Sequence, residues 1–253
     1  MKKTITFISI FAIGIITISC GSEAAQKNHE KVVICTTQTI SDAIQNISKN
    51  KFVIGLGNIV PKDGLIKTTD FGTAYDPHFW HDVNLFAKSI ELASHLFTKQ
   101  FPENSSYIDS ATSVYISKLK ETEEFVFKHL KSIPDSSRVI ITAHDAFSYY
   151  GRAFNIKVKG VQGINTSADI SIRGVTDLTD FIVAKKIKAI FVENSVSNKN
   201  IKSVSEGCEA KGHVLKQGGT LFSDGLGDKN SGADTYIKMI KKNTTTIVEA
   251  LKP

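Results

Sequence analysis

Four short runs rich in β-branched residues alternate with segments of helical spacing in the second half of the chain. They are RVIITA (138–143), IKVKGVQ (156–162), KAIFVEN (188–194) and HVLKQ (213–217). Ile172, Val175, Leu178, Phe181 and Ile182 mark one intervening helix. Ile237, Ile240, Ile247 and Leu251 mark another, within 233–251. Parallel strands need a long crossover between them, and a helix is its usual form. Strands that are apolar throughout are those covered on both faces. The expected fold class is α/β with parallel sheets.

Ahead of this half, residues 104–133 contain no Gly, and Pro134 ends the pattern. Ile108, Ala111, Tyr115, Leu119, Val126 and Leu130 recur there at helical intervals. A helix of that length spans about 45 Å, more than a small lobe needs, so it is expected to join two lobes as a rigid strut. The N-terminal part is thinner. It offers strand VVICTT (32–37), a helix at 40–47, a second strand at 52–59 and a helix at 84–98. The organisation expected is a signal segment at 1–20, a tether at 21–31, an incomplete N-terminal lobe at 32–103, the linking helix at 104–133 and a C-terminal α/β lobe at 134–253.

The first twenty residues read as an export signal. Lys2 and Lys3 precede an apolar run from Ile5 to Ile18, and Ser19-Cys20-Gly21 follows. The run is shorter than the ~20 apolar residues that span a bilayer. A small residue just before Cys20 makes that cysteine the expected lipidation point, with the exported chain anchored to the cell envelope through the membrane. Cys35 and Cys208 sit in apolar or helical surroundings and are expected to be buried free thiols rather than a disulfide. Thirty-one basic against 25 acidic residues leave a net charge of +6, with the lysines scattered. No basic patch interleaved with aromatics is present, so nucleic acid is not an expected partner.

Three segments carry metal-ligand residue types at turns or strand ends. They are DPHFWHDV (76–83), TAHDAF (142–147) and FSDGLG (222–227). In an open parallel sheet, ligands bind beyond the carboxyl ends of the strands. His144 lies at such an end and Asp224 just past another, so the two can converge on one cleft. His78 follows Pro77 in a fixed turn. Asp145 is placed to cap the helix after His144. His95, His129 and His213 read as surface or helix-face residues.

These blocks, with GVQGINT and IKAIFVENSVS, resemble those of the metal-binding lipoproteins of zinc/manganese ABC importers, the ZnuA/TroA-like substrate-binding proteins. The resemblance implies two α/β lobes joined by one rigid helix, with Zn²⁺ or Mn²⁺ held between them for an ABC importer permease. It implies a monomer in the periplasm or on the outer face of the cytoplasmic membrane, and no enzyme activity. His78, His144 and Asp224 fall on three of the family's four ligand positions. The fourth, a histidine soon after the first helix, has no counterpart. ISKN (47–50) passes almost directly into KFVIGLGNIVPKDGLI, as if an internal block were deleted.

His81, three residues beyond His78, is a possible substitute ligand, since a helical turn would put both rings on one face. Glu193 and Arg152 are expected to support ligands or pack the lobes. Two imidazoles and a carboxylate satisfy Zn²⁺ with a water in the fourth position. Proton competition should then weaken binding as pH falls through ~6.5. Three functions fit such a trio: delivery of a metal to a permease, a relative that no longer binds metal and serves as a surface interaction protein, and a metallohydrolase. The last lacks support from any HExxH motif or nucleophile elbow.

Overall fold

The computed structural model describes residues 56–68, 75–166 and 170–252 of the 253-residue chain. The export signal, Cys20, the tether, Cys35, the strand at 32–37 and the helix at 40–47 lie outside the described residues.

Four parallel strands form one sheet in the order β2-β1-β3-β4. They are β1 (Val139–His144), β2 (Lys157–Gln162), β3 (Ala189–Glu193) and β4 (Lys216–Leu221). Successive side chains leave a strand on opposite faces, and the core divides accordingly. Ile140, Ala189 and Phe191 enter one apolar cluster, while Ile141, Ile190 and Val192 enter the other. Helices α5 (Ile172–Lys185) and α6 (Lys199–Ala210) cover the second face through Leu178, Ile182, Ile201, Val204 and the buried free thiol of Cys208. The first face is covered by α4 (Ser148–Phe154) and α7 (Tyr236–Leu251).

The same first cluster continues into α2 (Val83–Gln100) and α3 (Ser105–Leu130), which pack against each other. Helix α3 is the expected long helix, 26 residues and thus about 39 Å. Leu119, Val126 and Leu130 bury its inner face, and it packs against α7 as well as α2.

Two expected strands differ. Over 56–59 the chain forms a single helical turn, α1 (Leu56–Ile59), rather than the end of a strand. Leu56 and Val60, four apart, are both buried and bonded through Val60 N–H to Leu56 O, whereas Gly57 and Asn58 favour no strand. The last strand starts at Lys216 instead of His213 and runs through two glycines. Val214 stays 89% exposed, so it cannot be a strand core residue. The glycines continue the strand because packing requires them. A Cβ on Gly218 would lie 2.5 Å from the Phe191 ring, and Gly219 has φ +121. A register irregularity between Ile190 and Val192 absorbs the distortion.

Candidate metal centre

Strand order places the site. β1 pairs with β2 on one side and β3 on the other, so the connections diverge at the β1/β3 boundary, where open α/β sheets bind ligands. His144 ends β1 and Glu193 ends β3. Asp224 follows β4 in the next loop. His78 arrives from the other side, at the start of a 3₁₀ turn (Phe79–His81) that leads into α2.

The structure brings His78, His144 and Asp224 together, with one potential ligand atom from each lying within 4.8 Å of the others. Asp224 faces both rings, Oδ1 at 3.1 Å from His78 Nε2 and Oδ2 at 3.4 Å from His144 Nε2. The two imidazoles meet edge to face at 5.3 Å between centroids. Both are buried, while the Asp224 side chain is 40% exposed and forms the open side of the trio.

Each histidine is held from behind by a buried carboxylate. Asp76 Oδ1 accepts the His78 backbone N–H at 2.9 Å and lies 2.7 Å from His78 Nδ1. Glu193 Oε1 accepts the His144 N–H at 2.9 Å. Its Oε2 stands 2.7 Å from His144 Nδ1, an ion-pair contact rather than an aligned hydrogen bond. With Nδ1 engaged in both rings, Nε2 is the atom left to face an incoming cation. Trp80, the sole tryptophan, donates Nε1–H to Ser223 O at 3.0 Å, next to Asp224 in sequence.

Carboxylates on both sides of the two imidazoles favour their protonated forms. Burial alone would lower His144. Close contact with Asp224 and Glu193, together with their charges, overcomes it and raises the imidazole to about 10. His78 moves upward through the same balance, with Asp224 and Asp76 outweighing burial. Burial pushes Asp224 the other way, yet its hydrogen bonds to the two histidines hold it far below the usual carboxylate range. The two imidazoles thus lie between one carboxylate in front and two behind.

Of the other sequence candidates, Glu193 supports His144 directly. Arg152 touches no ligand; it donates to Gly64 O at 2.8 Å, approaches Asp82 Oδ2 at 3.3 Å and lies over the Tyr149 ring. His81 stands outside the trio. Its ring is fully buried, 4.4 Å from the Phe147 ring, and neither ring nitrogen is hydrogen-bonded. Asp145 does not cap α4; it accepts the Ser148 hydroxyl at 2.6 Å. Asp76 is the site residue that the sequence reading passed over. Its signal was present, because an Asp two residues before another residue's N–H readily closes a turn onto it, and Pro77 fixes that turn.

The family model described as "Zinc-uptake complex component A periplasmic" matches residues 15–250. The manganese-binding lipoprotein MntA of Bacillus subtilis is 37% identical over 213 residues, which cover 84% of this chain and 69% of that protein. The zinc-binding protein TroA of Treponema pallidum is 32% identical over 212 residues, covering 84% and 68%. A solved structure of the periplasmic zinc-binding protein TroA superposes with a TM-score of 0.82 at 27% identity, covering 88% of this chain and 100% of that one.

Proposed function

The chain belongs to the family of periplasmic zinc-uptake components, and from that membership we propose that it captures a divalent transition metal outside the cytoplasm and delivers it to an ABC importer permease. One observation carries the reading. The two imidazole Nε2 atoms are directed at separate oxygens of a single carboxylate, so three metal-ligand groups converge within 4.8 Å of one another. His78, His144 and Asp224 are the ligands in this proposal. Water fills the fourth position of a tetrahedral Zn²⁺. Imidazoles suit Zn²⁺ and the carboxylate suits Mn²⁺ as well; the relatives' names divide the same way. The reading is one of binding and release rather than catalysis, by a monomer lipidated at Cys20 and held at the outer face of the membrane.

Calorimetric titration of the metal-free exported chain with Zn²⁺ and Mn²⁺ tests it. Saturable one-site binding, lost in His78→Ala and His144→Ala variants that still fold, supports the transport function. A cooperative fold that binds neither ion rejects it in favour of a relative that has kept the architecture and lost the cargo.

A further inference from the structure

Behind His78, a side chain completes a backbone hydrogen-bond pair. Residues 66 and 76 approach antiparallel, next to the Lys67–Tyr75 bridge, and Asp76 N–H donates to Ile66 O at 2.9 Å. In a regular antiparallel pair the Ile66 N–H would return a bond to Asp76 O. Here it donates instead to Tyr149 Oη at 3.0 Å, and the Tyr149 hydroxyl donates onward to Asp76 O at 2.7 Å. The phenol is spliced into the pair where the second backbone bond would run.

The position of that phenol gives the splice a consequence for the metal site. Tyr149 is fully buried on α4, the short helix that follows His144. Asp76, whose carbonyl accepts the phenol, holds His78 with its carboxylate. We propose that Tyr149 is a positioning residue for the metal site: its hydroxyl ties the segment bearing Asp76 and His78 to the helix that follows His144, and so sets the two Nε2 atoms opposite each other. This rests on the metal-binding reading above. Tyr150, the adjacent residue, is equally buried, but its hydroxyl pairs with Thr244 Oγ1 at 2.9 Å in the core against α7. Two neighbouring tyrosines therefore lose the same atom on mutation to Phe, and only one of them is wired to the ligand arm.

The test compares Tyr149→Phe and Tyr150→Phe in the intact chain, using Zn²⁺ for affinity and dissociation rate and Co²⁺ for the absorption spectrum of the bound ion. Outer partners of metal ligands typically alter affinity by about 10- to 100-fold, and a loss in that range with faster Zn²⁺ release and an altered Co²⁺ spectrum is expected for Tyr149→Phe alone. Tyr150→Phe is expected to lower the melting temperature while keeping affinity within about twofold of the parent, well short of that range. A Tyr149→Phe protein with parental affinity and spectrum, or equal losses in both variants, overturns the proposal. Should Tyr149→Phe fail to fold, amide exchange on the unmodified chain decides: Zn²⁺ must slow exchange at the Ile66 N–H, and an unchanged rate overturns it. A parent that binds no Zn²⁺ refutes the metal reading itself, whereas a parent that binds beside an unaffected variant refutes only the role of Tyr149.

Discussion

Glu193 grips His144 at two points, accepting its backbone N–H with one carboxylate oxygen and standing 2.7 Å from its Nδ1 with the other. Both residues are the last of their strands, so the sheet itself sets this contact. Glu193→Gln preserves the shape and removes the charge. The imidazole should then become less basic, because Glu193 is one of the groups that raise it. Zn²⁺ affinity is expected to fall by about 10- to 100-fold, as for other carboxylates behind ligand histidines. Chelator competition measures it, and unchanged affinity would show that the grip is structural only.

Asp224 differs from Glu193 in facing the Nε2 atoms, where the proposed cation would bind. Among the described residues it is the one anion that touches both Nε2 atoms, and its side chain lies partly open to solvent. Asp224→Asn should cost more affinity than Glu193→Gln, beyond the roughly 100-fold that outer partners reach. In the metal-free chain the same substitution should lower the basicity of both histidines, which an NMR titration of their ring protons would report. Histidine titrations identical to the parent's would contradict the placement of Asp224.

The elements legible in the sequence were those specified by local periodicity. β1 and β3 are apolar on both faces, and α3 repeats its buried positions over many turns, so their neighbours along the chain suffice to define them. β4 was misplaced because Gly218 and Gly219 look like a turn until Phe191, from another strand, is seen to occupy the space a side chain would need. That His78, His144 and Asp224 come together was legible from the family resemblance and, for His144 and Asp224, from residue type beyond strand ends. The roles of Tyr149 and of the Trp80–Ser223 pair were not, since each joins segments far apart in sequence through one or two hydrogen bonds. Spacing also suggested His81 as a ligand, but spacing alone cannot tell a ring facing the site from one packed beneath it.

The pH window for binding follows from the carboxylates that surround the two imidazoles. Sequence alone predicts affinity falling as pH drops through ~6.5, the ordinary histidine value. With His144 raised to about 10 and His78 also raised, an entering metal must still displace protons well above that pH. Affinity should therefore keep climbing from pH 6.5 to beyond 9, by up to about tenfold per pH unit for each proton released. The sign for the metal-free fold is opposite. A raised histidine contributes stability that is complete below 6.5 and lost as pH rises through its folded value, so the empty site loses this support at high pH. Affinities that level off at pH 7 would mean that the two imidazoles are already neutral in the empty site.

His81 supplies a prediction of reversed sign. Burial first, then the neighbouring His78, depresses its imidazole to about 3, and the Ser223 backbone offsets this only slightly without reaching hydrogen-bonding geometry. In the unfolded chain the ring gains its proton near 6.5. Its contribution is therefore intact above pH 6.5 and is lost as pH falls toward 3. An unpaired buried polar group costs roughly 1–3 kcal/mol, and the ring already packs against Phe147 and Trp80 as an apolar one would. His81→Phe should raise the stability of the metal-free chain by about 1 kcal/mol at pH 7.5, after some loss to the larger ring, and by more at pH 5. Zn²⁺ affinity should stay at the parental value. Denaturant unfolding at the two pH values and one metal titration settle it. A destabilised variant that has also lost Zn²⁺ binding would mean that His81 turns toward the metal and serves as the fourth ligand.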